Sequence, residues 1–268
     1  MQVFRDYETL PPQARGTAVA IGNFDGVHRG HRVVIDAAYK VARRHDVPLA
    51  VMTFEPHPRE IIQPQEAPPR LTSFRAKSRM LRELGVDVVF ALRFGPKLMS
   101  LPAEAFVTDV LAGRLGVAGI VTGQGFRFGH RRLGDTRVLR QVACGLGIEV
   151  QTIPPLELNG SRCSSSRIRE LLQAGDVAAA AVLLGRNYSV SGIVRAGDRR
   201  GRTIGFPTAN VHPFDGRRLM PARGVYAVEA VERDGRTLPA VANLGVRPTF
   251  DGRNQLLEVH VLDRTLDL

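Results

Sequence analysis

The chain has 268 residues, 44% of them hydrophobic, which is enough to form one or two buried cores. It contains no apolar run of about 18 residues, and its N-terminus carries acids and prolines where a signal peptide would be apolar. We therefore expect a soluble, cytoplasmic protein that does not enter a membrane. Its cysteines, Cys144 and Cys163, fit neither a disulfide framework nor a metal motif.

The formal net charge of +11 suggests nucleic-acid binding, because basic side chains that contact phosphates supply most non-specific affinity. The excess is almost all arginine, however, and it is scattered along the chain. No basic arm, aromatic RNA-binding string or zinc finger occurs. Nucleic acid is thus an unlikely main partner, and the sequence indicates no oligomeric state.

The first predicted elements are a strand and a helix joined by a glycine-containing turn. The apolar run 18–21 is typical of a buried strand, and apolar residues in 33–41 recur at helical spacing. His28 and His31 fall where this helix begins. A helix N-terminus offers unpaired N–H groups and a partial positive charge, so we expect it to bind a phosphate.

Two histidines could instead bind a metal, but no third ligand lies nearby and the spacing is not a zinc spacing. They could also be incidental loop residues. The whole string GNFDGVHRGH resembles the nucleotidyltransferase signature, specifically that of the prokaryotic bifunctional riboflavin kinase/FAD synthetase family. The resemblance implies that His28 and His31 hold the β- and γ-phosphates of ATP during attack on the α-phosphorus. It implies further ATP contacts from Gly22, Asn23, Phe24, Asp25 and Gly30.

Strand and helix signals then alternate along the chain. Strands are predicted at 48–54, 87–94, 118–123 and 148–153, and helices at 73–85, 103–116, 135–147 and 177–184. Alternation implies a parallel sheet covered by helices, which binds ligands at the carboxyl ends of its strands. We therefore predict an α/β, Rossmann-like nucleotidyltransferase domain over residues 1–186.

Two motifs follow predicted strands. FEPHP (54–58) resembles the family's FxPHP element, and GQGFRFGHRRLG (123–134) resembles its GxDFRFGxxRxGD element. The resemblance implies flavin contacts from Phe54, His57, Phe126 and Phe128. Gly125 replaces a usual Asp or Asn, so that side chain's polar contact is absent or supplied elsewhere. Arg127, Arg131 and Arg132 either are solvated or face phosphate.

The string RCSSSRIR (162–169) opens another predicted helix. Serines at a helix start are usually caps, but this string resembles the superfamily's second motif, SSTxxR, with Ser166 in place of Thr. Hydroxyls, an arginine and a helix N-terminus would form a second clamp on the triphosphate. The resemblance implies ATP contacts from Arg162, Ser165, Ser166 and Arg169.

From Tyr188 the pattern changes to β-rich segments separated by turn signals, which predicts a small antiparallel, all-β barrel over residues 187–268. GRTIGFPTAN (201–210) reads as a glycine-rich turn before an edge strand, but it also closely resembles the riboflavin kinase signature. The resemblance implies Mg²⁺ binding by Thr208 and Asn210, whose oxygens suit a hard cation. It implies ATP contacts from Gly197, Gly201, Arg202, Gly205, Pro207, Thr208 and Asn210.

Glu258 lies in a strand pattern, where an isolated glutamate would normally face solvent. The resemblance makes it the base that receives the proton of riboflavin's 5′-hydroxyl. Because the chain stops at Leu268, where the family continues, we expect this domain to be incomplete at its C-terminus and weak as a kinase.

The predicted function is therefore synthesis of FMN from riboflavin and ATP, followed by synthesis of FAD from FMN and ATP, both with Mg²⁺. The alternatives are another nucleotidyltransferase with an inactive barrel, or a non-catalytic protein that binds nucleic acid or stores flavin. The presence of His28, His31, Thr208, Asn210 and Glu258 argues against decayed sites.

Overall fold

A computed structural model describes residues 1–195, 207–249 and 252–262. Four predicted ATP-binding residues of the second domain lie outside these ranges: Gly197, Gly201, Arg202 and Gly205. The chain divides into two compact units, one of residues 1–167 with 183–185, and the other of residues 168–182 with 186–268.

The first unit alternates strands and helices. Its main strands are β1 (Gln2–Phe4), β2 (Ala18–Ile21), β3 (Leu49–Glu55), β4 (Val88–Arg93), β5 (Gly119–Gly123) and β6 (Glu149–Ile153), followed by a short hairpin of β7 (Glu157–Leu158) and β8 (Ser161–Arg162). Its helices are α1 (Arg29–His45), α2 (Pro58–Ile62), α3 (Phe74–Glu83), α4 (Pro96–Met99), α5 (Ala103–Ala105) and α6 (Thr136–Gly145). Short 3₁₀ turns occur at Pro12–Ala14, Pro64–Glu66 and His130–Arg132. Helices α7 (Ser165–Gln173) and α8 (Val177–Leu184) lie mostly in the second unit.

Strands β1 to β6 form one parallel sheet in the order β1-β4-β3-β2-β5-β6. The last residue of β2, Ile21, lies opposite Met52 of β3 and Thr122 of β5. Every residue of β2 is buried, as expected for a strand covered on both faces. The turn after β2 therefore leaves the carboxyl edge of the sheet near its centre, where parallel α/β sheets bind ligands.

Helix α1 packs across this sheet through one apolar face. Its buried residues are Val34, Ile35, Ala37, Ala38, Val41 and Ala42. The helix approaches β5 so closely that a Cβ atom at Gly119 would lie 2.4 Å from Cγ1 of Val41. Glycine at this position therefore allows the contact that holds α1 against the sheet.

The structure confirms the predicted parallel α/β fold, and it also contains elements that the sequence analysis did not predict. It adds the edge strand β1, which the polar N-terminal sequence did not suggest. The helix predicted at 103–116 is present, but Phe106–Arg114 is wound as a π-helix. Its wider turns still place Phe106, Val110 and Leu111 in the core.

The second unit contains the antiparallel strands β9 (Gly192–Arg195), β10 (Ala209–Pro213), β11 (Gly224–Val231), β12 (Thr237–Thr249) and β13 (Gly252–Val261). They form one sheet in the order β11-β12-β13-β10-β9. Ala242, Leu244 and Leu257 form the centre of its apolar core, so residues alternating with them lie on the opposite face. This strand-rich antiparallel architecture confirms the predicted fold class of the C-terminal domain.

Candidate active sites

His28 and His31 meet at the start of α1. His28 is the N-cap of the helix, and its Nδ1 accepts a hydrogen bond from the backbone N–H of His31 at 3.2 Å. The two rings stack with centroids 3.5 Å apart and planes 19° apart. Since Nδ1 of His28 is an acceptor, a neutral His28 carries its proton on Nε2 and presents it as a donor. Both predicted catalytic histidines thus share one helix N-terminus.

The turn before α1 has a strained backbone. Phe24 and Val27 have positive φ angles of 49° and 40°, and Gly26 has a φ of 90°. Positive φ is costly for residues with a side chain, so the surrounding structure must hold this turn in place. The ring of Phe24 is buried and contacts the ring of His31 edge-on at a centroid distance of 5.2 Å.

Asp25, a predicted ATP-binding residue, is one of the groups that hold this turn in place. Its buried carboxylate accepts hydrogen bonds from the backbone N–H groups of Leu71 at 3.0 Å and Thr72 at 2.9 Å. It also accepts one from the Thr72 hydroxyl at 3.1 Å, and that hydroxyl accepts from Gly26 N–H at 3.0 Å. These contacts give Asp25 a structural role in shaping the turn.

Gly30 allows the chain after β8 to approach the histidines. A Cβ atom at Gly30 would lie 3.0 Å from the carbonyl oxygen of Cys163 and 3.2 Å from the His28 ring. The Gly30 N–H donates to Sγ of Cys163 at 3.3 Å, and that thiol donates to the carbonyl of Leu183 at 3.3 Å. Burial raises the pKa of the Cys163 thiol, which favours its neutral form.

The serine motif forms the second helix start. Ser164 caps α7 by accepting from Arg167 N–H at 3.2 Å, whereas the Ser165 hydroxyl donates to the carbonyl of Asp25 at 2.9 Å. This second bond ties the start of α7 to the turn before α1. Ser166 and Arg162 are exposed, and Arg169 lies one turn further along α7. The ATP contacts predicted for these residues remain predictions.

Predicted flavin-binding residues lie after β3. His57 caps α2 by accepting at Nδ1 from Arg59 N–H at 3.2 Å, and its Nε2 lies 3.1 Å from the side-chain amide of Asn23. His57 is thereby joined to the turn that leads to His28. Phe54 is partly buried and contacts Phe94 edge-on at a centroid distance of 6.0 Å.

Phe126 and Phe128 lie in the loop after β5 and stack on each other, with centroids 5.3 Å apart. Phe128 is buried and also packs on Phe106 at 5.7 Å, so its observed contacts are those of a core residue. Phe126 is only partly buried and leaves ring surface for a ligand. A Cβ atom at Gly125 would have no neighbour within 4 Å, so the missing Asp or Asn leaves open space.

A buried charged cluster beneath this edge was not predicted. Nζ of Lys77 donates to Glu55 Oε1 at 3.0 Å, Glu55 Oε2 accepts from Arg70 Nη2 at 2.6 Å, and Arg70 Nε lies 2.6 Å from Glu60 Oε1. The Lys77 side chain is 1% exposed and that of Arg70 is 9% exposed. The sequence offered one signal, since Lys77 shares a helical stripe with buried Met80 and Leu81.

In the second unit, the strand register brings polar side chains together. Asn210 of β10 lies opposite Glu258 of β13, and Glu258 lies opposite Asn243 of β12. Directly opposed residues share a face, and Nδ2 of Asn243 donates to Oε2 of Glu258 at 3.4 Å. Arg195 of β9 lies on the other side of Asn210. Asn243 was not among the predicted site residues, because the register that places it cannot be read from sequence.

Pro207 and Thr208 precede β10. The carbonyl of Pro207 lies 2.8 Å from Nδ1 of His260, which is two residues beyond Glu258 on β13. This contact fixes the chain entering Thr208 against the strand that carries the predicted base.

Among the described residues, no group of three histidine, cysteine or acidic side chains is arranged to hold a metal. In the same ranges, no helix is long and apolar enough to cross a membrane.

Comparison with known proteins gives the same assignment for both parts of the chain. The FAD synthetase family profile matches residues 10–167, and the riboflavin kinase profile matches residues 184–268. The bifunctional riboflavin kinase/FMN adenylyltransferase of Escherichia coli (strain K12) is 44% identical over 270 residues, covering 100% of this chain and 85% of that protein. The Pseudomonas fluorescens protein of the same name is 42% identical over 269 residues, with coverage of 100% and 85%.

A solved structure is also similar along almost the whole chain. It is described as a macrolide-efflux protein from Streptococcus pneumoniae and matches with a TM-score of 0.88 at 32% sequence identity. The match covers 99% of this chain and 85% of that one. The fold described above is thus known from experiment in a related protein.

Proposed function

Because the chain belongs to the bifunctional riboflavin kinase/FMN adenylyltransferase family, we propose a specific set of residues for each of its two reactions. The protein phosphorylates riboflavin to FMN and transfers an adenylyl group from ATP to FMN, forming FAD and pyrophosphate. We assign adenylyl transfer to residues 1–186 and the kinase reaction to residues 187–268. The observation that supports this assignment best is the stacked His28–His31 pair at the start of α1.

In the adenylyltransferase site, the start of α1 binds the β- and γ-phosphates of ATP. Negative charge builds on these phosphates as the FMN phosphate attacks the α-phosphorus and pyrophosphate departs. His28 accepts at Nδ1 from His31 N–H, so a neutral His28 carries its proton on Nε2, which is the donor we assign to a phosphate oxygen. Donors that are already oriented stabilise such developing charge without reorganisation. The start of α7 supplies further donors from the serine motif.

FMN occupies the carboxyl edge of the sheet, beside the same turn. Partly buried Phe54 and Phe126 offer aromatic surface to the isoalloxazine ring, and the Asn23–His57 pair lies between β2 and β3. Phe128 contributes indirectly, because it supports Phe126 from the core. The flavin therefore binds beside β3, while the start of α7 serves the triphosphate.

In the kinase site, Glu258 accepts the proton of the riboflavin 5′-hydroxyl as that oxygen attacks the γ-phosphorus. The hydrogen bond from Asn243 orients its carboxylate, and Asn210 lies directly beside it. The amide oxygen of Asn210 and the hydroxyl of Thr208 are hard oxygen donors of the kind that Mg²⁺ accepts while it keeps several waters. When bound, Mg²⁺ would neutralise charge on the ATP phosphates.

The partners are therefore small molecules, namely riboflavin, FMN and ATP, with Mg²⁺ as the required cation. FMN is the product of one site and the substrate of the other, and FAD is the final product. We place the protein in the cytoplasm, where its nucleotide substrates are found.

Two single substitutions test whether each reaction takes place at the site that we assign to it. Replacement of His28 by Ala should lower FAD formation from FMN by about 10²-fold or more, because it removes a donor to the departing pyrophosphate. Glu258→Gln should lower FMN formation from riboflavin by about 10²- to 10⁴-fold. Each variant should leave the other reaction nearly unchanged, and EDTA should stop both.

Two matched controls make the same types of substitution at exposed positions that have no proposed role in either reaction. His212→Ala and Glu229→Gln change exposed residues on β10 and β11, so both should retain both activities. Loss of both reactions in His28→Ala would mean that the histidine supports folding instead. Full kinase activity in Glu258→Gln would exclude it as the base.

A further inference from the structure

We propose that Lys77 is a positioning residue for FMN, acting through the Asn23–His57 pair. The proposal rests on the adenylyltransferase site described above and adds a residue to which no role in the reaction has been assigned. Lys77 belongs to α3, outside the sequence motifs that indicate the site. Its connection to the flavin edge is visible only in the fold.

The ammonium group of Lys77 joins the ends of two neighbouring strands. Nζ donates to the carbonyl of Asn23 at 2.9 Å, to Glu55 Oε1 at 3.0 Å and to Thr53 Oγ1 at 3.3 Å. Asn23 follows β2, whereas Thr53 and Glu55 are on β3. The Thr53 hydroxyl also donates to the carbonyl of Asn23 at 3.1 Å, so two donors fix that one backbone group.

The position of Asn23 in turn affects His57, because the side chains of the two residues are in contact. Nδ1 of His57 accepts from Arg59 N–H, so a neutral His57 carries its proton on Nε2. That proton points at the Asn23 amide 3.1 Å away, which satisfies both groups when the amide turns its oxygen toward the ring. Its NH₂ group is then free to face a ligand. Lys77 therefore sets the position of a polar donor beside the proposed flavin site.

Burying the charged side chain of Lys77 costs folding free energy, so a contribution to stability does not by itself explain why a lysine occurs here. Burial lowers the pKa of Lys77, against the opposing effect of the Glu55 carboxylate. Replacing a buried ion pair by apolar residues is often neutral or stabilising, so a buried charge is weak evidence for a stability role. The geometry points instead to orientation, because the three acceptors of Lys77 converge where β2 and β3 reach the site.

The phosphate-binding half of the site is held by other groups. The turn before α1 is fixed by Asp25 to the 71–72 segment and by the Ser165 hydroxyl to α7. Loss of Lys77 should therefore disturb the Asn23–His57 pair more than the start of α1. This separation predicts different effects on the two substrates of adenylyl transfer.

The test compares Lys77→Met and Lys77→Arg in the purified protein with FMN and MgATP. In Lys77→Met, Glu55 keeps its bond to Arg70 while Asn23 loses its charged donor. We expect the KM for FMN to rise about tenfold or more and the KM for ATP to change less than about twofold, since displacements of about 1 Å are costly at a site. Lys77→Arg retains the positive charge and hydrogen-bond donors, so its KM for FMN should lie between those of Lys77→Met and the wild-type protein. Arg79→Met, an exposed change on the same helix, is the matched control.

Three outcomes would overturn the proposal. One is a folded Lys77→Met protein whose KM for FMN equals that of the Arg79→Met control. Another is an equal rise in both KM values together with a lower Tm, which would indicate general loosening. If Lys77→Met does not fold, Lys77→Arg decides, because a rise in its KM for ATP as large as the rise in its KM for FMN would also contradict the proposal. Absence of FAD synthesis by the wild-type protein would instead contradict the proposed function.

Discussion

Asp25 shows how one buried side chain shapes the turn before α1, where we propose that phosphate binds. Its buried carboxylate accepts two backbone N–H groups and one hydroxyl from Leu71 and Thr72. Hydrogen bonds to charged groups contribute about 1.5–3 kcal/mol, and leaving buried donors unsatisfied adds a penalty. The strained φ angles of Phe24 and Val27 lie on either side of this anchor.

We therefore expect Asp25→Ala to lower the free energy of unfolding by about 2–4 kcal/mol and to reduce FAD formation with it. Urea denaturation followed by circular dichroism measures the loss. Asp36→Ala, an exposed change on α1, should cost less than about 0.5 kcal/mol. If Asp25→Ala lowers the free energy of unfolding by as little as the control does, the hydrogen bonds of Asp25 are not needed to hold the turn.

At the residue scale, sequence predicted best where a motif fixes local geometry. His28 and His31 lie at a helix start as predicted, because capping depends on residues close in sequence. The flavin contact of Phe128 stays a prediction, whereas the burial of its ring, which depends on the distant Phe106, was not predicted. Lys77 was missed for the same reason, since burial of a charged side chain depends on tertiary partners.

At the element scale, Glu149 joins β6 to the end of α1. Its carboxylate accepts from His45 Nε2 at 2.9 Å and from the guanidinium of Arg44. Partial burial opposes ionisation of Glu149, but these hydrogen bonds outweigh it and leave its pKa below the ordinary value. A carboxylate with a lowered pKa stabilises the fold above its unfolded pKa, and that stability is lost as the pH falls through the folded pKa.

Glu149→Gln should therefore be less stable than wild type at pH 7 by about 0.5–1 kcal/mol, as is typical of partly exposed ion pairs. The difference should be smaller at pH 3, because the stabilisation is lost as the pH falls through the lowered pKa of Glu149. Thermal unfolding at the two pH values measures it, with exposed Glu66→Gln as the control. A difference of the same size at both pH values would contradict the lowered pKa.

The elements themselves followed closely from hydrophobic periodicity. Interior strands and long helices were predicted within a few residues, because their apolar patterns reflect burial against the sheet. The edge strand β1 was missed because it is largely exposed and short. The π-helical winding of Phe106–Arg114 was also missed, since apolar residues at this spacing fit either helix.

At the scale of the whole molecule, the change from alternating to continuous β signals near residue 186 is enough to distinguish two architectures in the sequence alone. The strand register of the second architecture was beyond prediction. It is this register that brings Asn210, Glu258 and Asn243 side by side. Pairing between strands distant in sequence is set by the packed core on the other face, here Ala242, Leu244 and Leu257.

The central claim is that one chain performs two phosphorus transfers, at different phosphorus atoms of ATP. Incubation of the purified protein with riboflavin, Mg²⁺ and ATP labelled with ³²P at either the α- or the γ-phosphate tests it most directly. The γ-label should appear first in FMN and then in FAD, whereas the α-label should appear in FAD alone. An α-label absent from every flavin, or present in FMN, would contradict the account.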